Sequence, residues 1–187
     1  MRNLTTGICL IVALTMGGCA TTAGMTTEQK RQSILTMKNK VLSDLYQLKP
    51  DVRQQISGAN GYAVFSNANI NIILASFGTG YGVVKHNKTG QYTYMKMGEV
   101  GLGPGLGVKD FRIVFVFHSA DSLDRFIEKG WAFGVQADAA AKAGDSGAAV
   151  GGEITVDNIT IYQITESGLA LQATIKGTKY WKDSELN

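Results

Sequence analysis

The chain has 187 residues, of which 44% are hydrophobic and 18% charged, with 23 glycines and a formal net charge of +3 at pH 7. This length allows one domain with a substantial core and is too short for two ordinary domains. The composition excludes a disordered chain, and a charge so close to neutral does not require a nucleic-acid or strongly acidic partner.

The amino terminus has the pattern of a secretory signal. Arg2 precedes an apolar run over residues 8–14, and small residues then lead to Cys19. The run is too short to span a bilayer as a mature helix. The segment MGGC at residues 16–19 resembles the lipobox of bacterial lipoproteins, whose cysteine is acylated and becomes the new amino terminus. The alternative is an ordinary export signal with an incidental cysteine.

Lipidation would account for both cysteines. Cys9 lies in the discarded signal and Cys19 would carry the lipid, so no mature thiol remains for a disulfide. Acyl chains form a stable anchor, since each buried methylene contributes about 0.8 kcal/mol. Because Ala20 replaces the aspartate of an inner-membrane retention signal, we expect the inner leaflet of the outer membrane, facing the periplasm. The expected organisation is a signal peptide over 1–18, a lipidated tether over 19–26 and one domain over 27–187.

The first element of the mature chain is predicted to be an amphipathic helix. Thr26 or Thr27 can cap it, with Gln29 or Lys30 at the third helical position, and Pro50 marks its end. Its apolar stripe is predicted to consist of Ile34, Val41, Leu45 and Leu48.

A second short helix is predicted over 51–57, and from Gly61 the pattern changes to short β-strands. The predicted strands cover residues 62–66, 70–75, 80–85, 92–97, 101–108, 111–118, 132–138, 159–164 and 169–181. A helix capped by Ser119 or Asp121 and ended by Gly130 interrupts them, and residues 139–152 are predicted to form a mobile loop. The predicted fold class is α+β: the amino-terminal helix packs on a glycine-rich, mainly antiparallel sheet that closes toward a barrel or sandwich, with one short inserted helix.

Two segments have glycine at every second position, GTGYG at 78–82 and GLGPGLG at 101–107. A phosphate-binding loop follows a strand and opens a helix, whereas both segments continue into β-like sequence and lack the Gly-Lys-Ser/Thr ending. In a strand, alternate glycines share one face, so we expect something to pack against that face at backbone distance. The chain's own helix, a partner protein and a lipid tail are the alternatives.

The sequence predicts neither an enzyme nor a metal or cofactor site. GDSG at 144–147 matches the nucleophile motif of trypsin-like serine proteases, but neither His86 nor His118 lies in that family's histidine motif. We interpret GDSG as a turn. Two histidines without a free mature cysteine disfavour a zinc site, because no pair of ligands is spaced for one.

The first candidate for lipid contact is the basic amino-terminal helix, which carries Lys30, Arg31, Lys38 and Lys40. At about 100° per residue only Lys40 lies on the polar side, whereas an interfacial helix usually has its basic residues there. The alternative is that the 41–48 half packs on the core while the basic amino-terminal half is solvated.

The second candidate is KGTKYWKD at residues 176–183, where Tyr180 and Trp181 lie among lysines. Aromatic rings beside lysines suit a membrane interface. The alternative is a terminal strand with one buried ring.

Several segments occur in an order that resembles the SYLF domain family. They are GYAVF, FGTGYGVV, GLGPGLGVKDF, IEKGW, FGVQADAAA and IYQITESGLALQATIKGTKYW. The resemblance covers residues 27–181 and implies a lipid-binding module. In eukaryotic members a basic amphipathic amino-terminal segment contacts phosphoinositide membranes, and by position this corresponds to the helix with Lys30, Arg31, Lys38 and Lys40.

The chain differs from the eukaryotic members in three ways. It has a lipoprotein-like signal, it has no Src-homology-3 domain, and its basic helix face is weak. Some yeast relatives bind actin, but a bacterial envelope offers neither actin nor ordinary phosphoinositides, so we do not transfer those ligands.

Two functions remain open. The first is a membrane-anchored, non-enzymatic domain that binds anionic phospholipid head groups through the helix lysines and arginine. The second is a scaffolding envelope lipoprotein that docks a protein partner on the glycine face of the sheet. A pocket in the sheet that holds an acyl chain is a third, weaker hypothesis.

Overall fold

The structure, a computed structural model, describes residues 24–66, 79–99, 112–132, 149–150, 153–165, 168–169 and 178–187. The described part contains three helices: α1 (Thr27–Leu48), α2 (Val52–Gly58) and α3 (Ala120–Lys129). Its ten strands are β1 (Gly61–Ser66), β2 (Thr79–His86), β3 (Tyr92–Glu99), β4 (Arg112–Phe117), β5 (Trp131–Ala132), β6 (Ala149–Val150), β7 (Glu153–Val156), β8 (Ile159–Thr165), β9 (Gly168–Leu169) and β10 (Thr178–Lys182).

Helix α1 begins with the capping arrangement that its sequence predicts. The Thr26 hydroxyl accepts a hydrogen bond from the Gln29 backbone N–H at 3.2 Å, and the Gln29 side chain accepts from the Thr26 N–H at 2.8 Å. The helix ends at Leu48, two residues before Pro50, because the residue before a proline is disfavoured in helical conformation. Both predicted boundaries of this helix are confirmed.

Helix α3 also has its predicted ends. The Ser119 hydroxyl accepts from the Ser122 N–H at 3.1 Å, and Gly130 follows the helix with φ of +69°. A side chain at residue 130 would overlap the Tyr180 carbonyl oxygen. Glycine is therefore required there both by its backbone conformation and by the close approach of β10.

The strands form one antiparallel sheet in the order β5-β10-β3-β2-β1-β4-β8-β7-β6, with β9 paired to β8. The sheet curls into a half-barrel, so the predicted α+β class is confirmed. At its centre Val64 of β1 lies opposite Val83 of β2 and Val114 of β4.

Alternation along the central strands separates two apolar layers. Val64 faces α1 and α2, whereas its neighbour Phe65 faces α3. The α3 layer is rich in rings: Tyr180 is fully buried, with its ring centroid 4.7 Å from that of Phe65 and 5.1 Å from that of Phe115. The alternative reading of KGTKYWKD, a terminal strand with one buried ring, is confirmed.

The β7–β8 hairpin is not among the predicted elements. Its two-residue turn consists of Asp157 and Asn158, with φ of +51° and +57°, the positive values that favour Asn and Asp in tight hairpins. Within the predicted loop over 139–152, residues 149 and 150 form β6 against β7, so the loop prediction is wrong for these two residues.

Several sequence predictions lie outside the described residues. They are the strands at 70–75 and 101–108, the GLGPGLG and GDSG segments and the lipidation at Cys19. Among the described helices, none has the length and apolarity that crossing a bilayer requires.

Candidate functional site

Two of the four basic residues proposed on α1 contact the carboxyl-terminal segment, residues 183–187. The Arg31 Nε donates to the Leu186 carbonyl oxygen at 2.9 Å, and its guanidinium carbon lies 5.7 Å from the centroid of the Tyr94 ring. The Lys30 Nζ lies 3.7 Å from a carboxylate oxygen of Glu185. These two side chains therefore bind α1 to the rest of the domain.

Lys38, the third residue of the set, points into the molecule. It is 7% exposed, and its Nζ donates to the Tyr92 hydroxyl oxygen at 3.2 Å. A side chain this deeply buried does not reach a membrane surface from the position it has here.

Lys40 is the member of the set that lies on the outer face of α1. Its side chain is 69% exposed and its Nζ lies 3.2 Å from Asp44 Oδ2, which Arg112 also contacts at 3.1 Å. The expectation of a solvated amino-terminal half is wrong, because Ile34 is fully buried against Val83 and Tyr94. Helix α1 packs on the sheet through both of its halves.

The alternate glycines of β2 are covered by the chain's own side chains. A Cβ on Gly82 would overlap the Phe65 ring, and one on Gly80 would overlap the end of the Met97 side chain. None of the three alternatives for the glycine face holds at these two positions, because the covering groups belong to neighbouring strands of the same sheet and not to a helix, a partner or a lipid tail.

The carboxyl-terminal strand contributes to a surface at the end of the sheet. The register places Lys96 of β3 directly between Tyr81 of β2 and Trp181 of β10, on the face that also carries α1. The next row along the same face contains Lys179 opposite Gly98, and a Cβ on Gly98 would lie 2.9 Å from the Trp181 ring. We call Tyr81, Lys96, Lys179 and Trp181 the aromatic–lysine surface.

The charges of the aromatic–lysine surface are unevenly neutralised. Lys96 Nζ lies 3.3 Å from an oxygen of Asp183, whose side chain is 1% exposed. Lys179 is exposed, and within the described part of the chain no carboxylate lies at ion-pair distance from it. Partial burial raises the pKa of the Tyr81 phenol; the Lys96 ammonium opposes this shift, and the Asp183 carboxylate adds to it.

Strand alternation decides which lysines belong to this surface. Lys179 and Trp181 point to one face of β10, whereas Lys182 lies on the same face as the buried Tyr180. Proximity in the sequence KYWK therefore overstates the number of lysines around Trp181. The signal for Tyr81 and Lys96 was absent from the sequence, because only strand pairing brings them beside Trp181.

The His118 side chain makes a structural contact. The His118 Nε2 lies 2.7 Å from the Thr160 hydroxyl, which lies 3.0 Å from that of Thr155. No carboxylate in the described residues orients this imidazole, which a catalytic triad would require. No group of three potential metal ligands occurs in the ranges that the structure describes.

Comparisons with known proteins find similarity to one protein family. Residues 98–187 match the family model described as Ysc84, Las17-binding protein actin regulator. These residues are therefore similar to the Ysc84 (SYLF) family over just under half of the chain. The matched span begins near the end of β3 and includes GLGPGLG and the KYW segment, so it contains two of the four residues of the aromatic–lysine surface, Lys179 and Trp181.

A curated relative of the SYLF domain, Beta cell expansion factor A from Aeromonas veronii, is 35% identical over 164 residues. The aligned part covers 86% of this chain and 60% of the relative, so the chain spans about 60% of the length of the curated relative it matches. The SYLF match supports a lipid-binding or actin-regulator-like domain, and no catalytic family is indicated.

Proposed function

We propose that this protein is an envelope lipoprotein whose SYLF domain binds anionic phospholipid head groups at the membrane that holds its acyl anchor. The anchor would be attached to Cys19 and would place the domain on the inner leaflet of the outer membrane. The family match supports the lipid-binding part of this proposal, and the signal-like sequence over 1–19 supports the anchoring part.

The proposed contact with lipid head groups rests mainly on the aromatic–lysine surface. The Trp181 ring packs on Gly98, and the side chain is only half-buried, so part of it stays accessible to solvent. Lys179 is exposed on the same face, and Lys96 lies between the rings of Tyr81 and Trp181. A ring at the depth of the head groups beside lysine ammonium groups is a common interfacial arrangement.

Helix α1 supplies less of the proposed contact than its sequence suggests. Its exposed positions are mostly uncharged and include Gln32, Thr36, Asn39 and Ser43. Lys40 is exposed and its ion pair with Asp44 lies at the surface, so it can reach head groups. Lys30, Arg31 and Lys38 would have to leave partners that hold them against the domain. We therefore place Lys40 in the proposed contact as an auxiliary residue.

The proposal is tested with a form of the chain that starts after Cys19, so that binding by the fold is separated from binding by the anchor. This form should sediment with vesicles that contain phosphatidylglycerol and not with phosphatidylcholine alone, and less at high salt. Lys179→Gln should reduce binding more than Lys88→Gln, which removes the same charge from the exposed β2–β3 turn.

Trp181 offers a direct readout of the contact face. The chain has two tryptophans, and Trp131 is buried at 5% exposure whereas Trp181 is half-buried. Vesicles with bromine on their acyl chains should quench the fluorescence of wild type more than that of Trp181→Phe. Vesicle binding without this difference would mean that another face meets the membrane, and no binding at low salt would exclude the lipid-binding function.

The proposed anchor has its own test. When the full chain is expressed in a Gram-negative host, mass spectrometry should find acyl chains on Cys19 at the new amino terminus. Cys19→Ser should move the protein from the membrane fraction to the soluble periplasmic fraction. An unmodified Cys19 in the membrane-associated protein would contradict lipidation.

A scaffolding function is the second candidate, because the matched family is described by the binding of a protein, Las17. The covering of Gly80 and Gly82 by Phe65 and Met97 removes these glycines from the proposed docking face. Crosslinking in intact cells would favour scaffolding if it captured one protein stoichiometrically while Lys179→Gln and Trp181→Phe left localisation unchanged.

A further inference from the structure

Lys38 is an unusual buried cation. Within the described residues it is the one lysine or arginine that is buried, at 7% exposure. Its ammonium donates to the neutral Tyr92 hydroxyl, and no carboxylate of the described part lies within ion-pair distance of it. Buried charges in proteins are normally paired with an opposite charge, so this position lacks an expected anion.

A second ammonium group approaches the same ring. Lys85 of β2 lies opposite Tyr92 in the sheet register, and its Nζ is 5.8 Å from the centroid of the Tyr92 ring. The Lys38 Nζ is 5.1 Å from that centroid. Lys85 also has no carboxylate at ion-pair distance among the residues with described positions. Among the described residues, two positive charges therefore share one tyrosine without a carboxylate at ion-pair distance from either.

The groups around Tyr92 offer mainly donors to a further ligand, because the two ammonium groups cannot accept a hydrogen bond. The Tyr92 oxygen already accepts from Lys38, so its own O–H is free to donate, and each ammonium retains N–H groups. Lys85 and Tyr92 are both partly exposed whereas Lys38 is buried, so a ligand would reach the cluster from the side of Lys85 and Tyr92. An acceptor-only, negatively charged group has the matching chemistry.

We propose that Lys38, Lys85 and Tyr92 form a binding site for a phosphate group that carries two negative charges. A dianion would neutralise both ammonium groups and offers enough oxygens for all three donors, whereas a carboxylate would leave one positive charge uncompensated. We call this cluster the two-lysine site.

The two-lysine site goes beyond the proposed head-group contact. Tyr92 and Lys96 lie on one face of β3, four residues apart, which corresponds to about 13 Å along a strand. The two-lysine site is also covered by α1, whereas the aromatic–lysine surface holds a partly accessible ring. The phosphate group can belong to a phosphomonoester lipid or to a small soluble phosphate compound, and both offer the same dianion.

Calorimetric titration of the full chain tests the site with three probes: inorganic phosphate, glycerol 3-phosphate and soluble dioctanoyl phosphatidic acid, each at matched ionic strength. Wild type should bind all three. Lys85→Gln and Tyr92→Phe should each weaken binding about tenfold or more, because a hydrogen bond to a charged group is lost. Lys88→Gln removes one charge three residues away from Lys85 and should leave the affinity unchanged.

The comparison of probes separates the two sources. Tighter binding of dioctanoyl phosphatidic acid than of glycerol 3-phosphate, with the same dependence on Lys85 and Tyr92, supports the site and indicates a lipid. Equal affinities support the site and indicate a soluble phosphate compound. Absence of binding by folded wild type, or equal weakening by Lys88→Gln, would overturn the site. Vesicle sedimentation by Trp181 and Lys179 variants does not depend on this result, so either proposal can fail alone.

Discussion

The Phe65 ring of β1 lies directly over Gly82 of the neighbouring β2 strand. A Cβ at residue 82 would overlap both this ring and the Val64 carbonyl oxygen. The same ring belongs to the aromatic layer that packs against α3. Because Gly82 has no side chain, the Phe65 ring can occupy this space, so packing and not phosphate contact accounts for the glycine.

Gly82→Ala should therefore lower the free energy of unfolding by about 1 to 3 kcal/mol, since the Phe65 ring or the backbone has to shift. Denaturant unfolding followed by circular dichroism measures this change. Gly58→Ala is the matched control, because no atom lies within 4 Å of a Cβ at that position. A Gly82 variant as stable as the Gly58 variant would show that the ring moves without cost.

The buried carboxylate of Asp183 should stabilise the domain through its contacts with Lys96 and with the Glu185 backbone N–H, at 3.3 and 2.9 Å. Asp183→Asn should cost about 1 to 3 kcal/mol of unfolding free energy, because a charge-assisted bond is lost at a site that is 1% exposed. A double-mutant cycle with Lys96→Gln should give a coupling energy above about 0.5 kcal/mol. Strict additivity of the two changes would contradict a stabilising ion pair.

Arg31 and Lys40 should differ in how much they contribute to the free energy of unfolding. Arg31→Gln removes the donor to the Leu186 carbonyl oxygen and should cost about 1 kcal/mol of unfolding free energy. Lys40→Gln removes one exposed ion pair and should change the free energy of unfolding by less than about 0.5 kcal/mol. Thermal unfolding of both variants distinguishes them. Equal stabilities would mean that Arg31 does not hold the carboxyl-terminal segment.

Alkaline pH should destabilise the domain through Tyr62. Burial raises the pKa of this phenol above its ordinary value of 10.0, and the neighbouring Tyr92 and Tyr46 add to the rise. The folded state then keeps the proton after the unfolded state has lost it, so the stabilising contribution is complete below pH 10 and is lost as the pH rises through the folded pKa.

Unfolding measured at a series of pH values from neutral to alkaline checks the role of Tyr62. Wild type should lose stability more steeply above about pH 10 than Tyr62→Phe, which cannot ionise at this position. Other alkaline groups titrate in both proteins and cancel in the comparison. Identical pH dependences would assign the alkaline loss to groups other than Tyr62.

The sequence predicted those features that depend on neighbouring residues. Thr26, Pro50, Ser119 and Gly130 mark helix ends because capping and backbone restriction act within a few residues. The β-branched and aromatic runs predicted most described strands for the same reason. The β7–β8 hairpin could also have been found, since Asp157-Asn158 between two alternating runs is a known turn signal.

The candidate sites were less predictable, because they combine residues from distant strands. Trp181 and Lys179 were visible as an aromatic–lysine segment, but Tyr81 and Lys96 join them only through the β2–β3–β10 register. Helical periodicity correctly placed Lys40 outside and Lys38 inside. It could not show that the partner of Lys38 is Tyr92, a residue 54 positions away.

The sequence by itself determined the local conformation of each helix and the β character of the glycine segment in β2, because cap chemistry, alternation and glycine spacing are properties of adjacent residues. Only the tertiary structure decided what covers those glycines and which lysines are free. The Phe65 ring fills the space over Gly82, the Tyr92 hydroxyl accepts a hydrogen bond from Lys38, and the Leu186 carbonyl oxygen accepts one from Arg31. Pairing in the sheet and packing of α1 bring these groups together although they lie far apart along the chain.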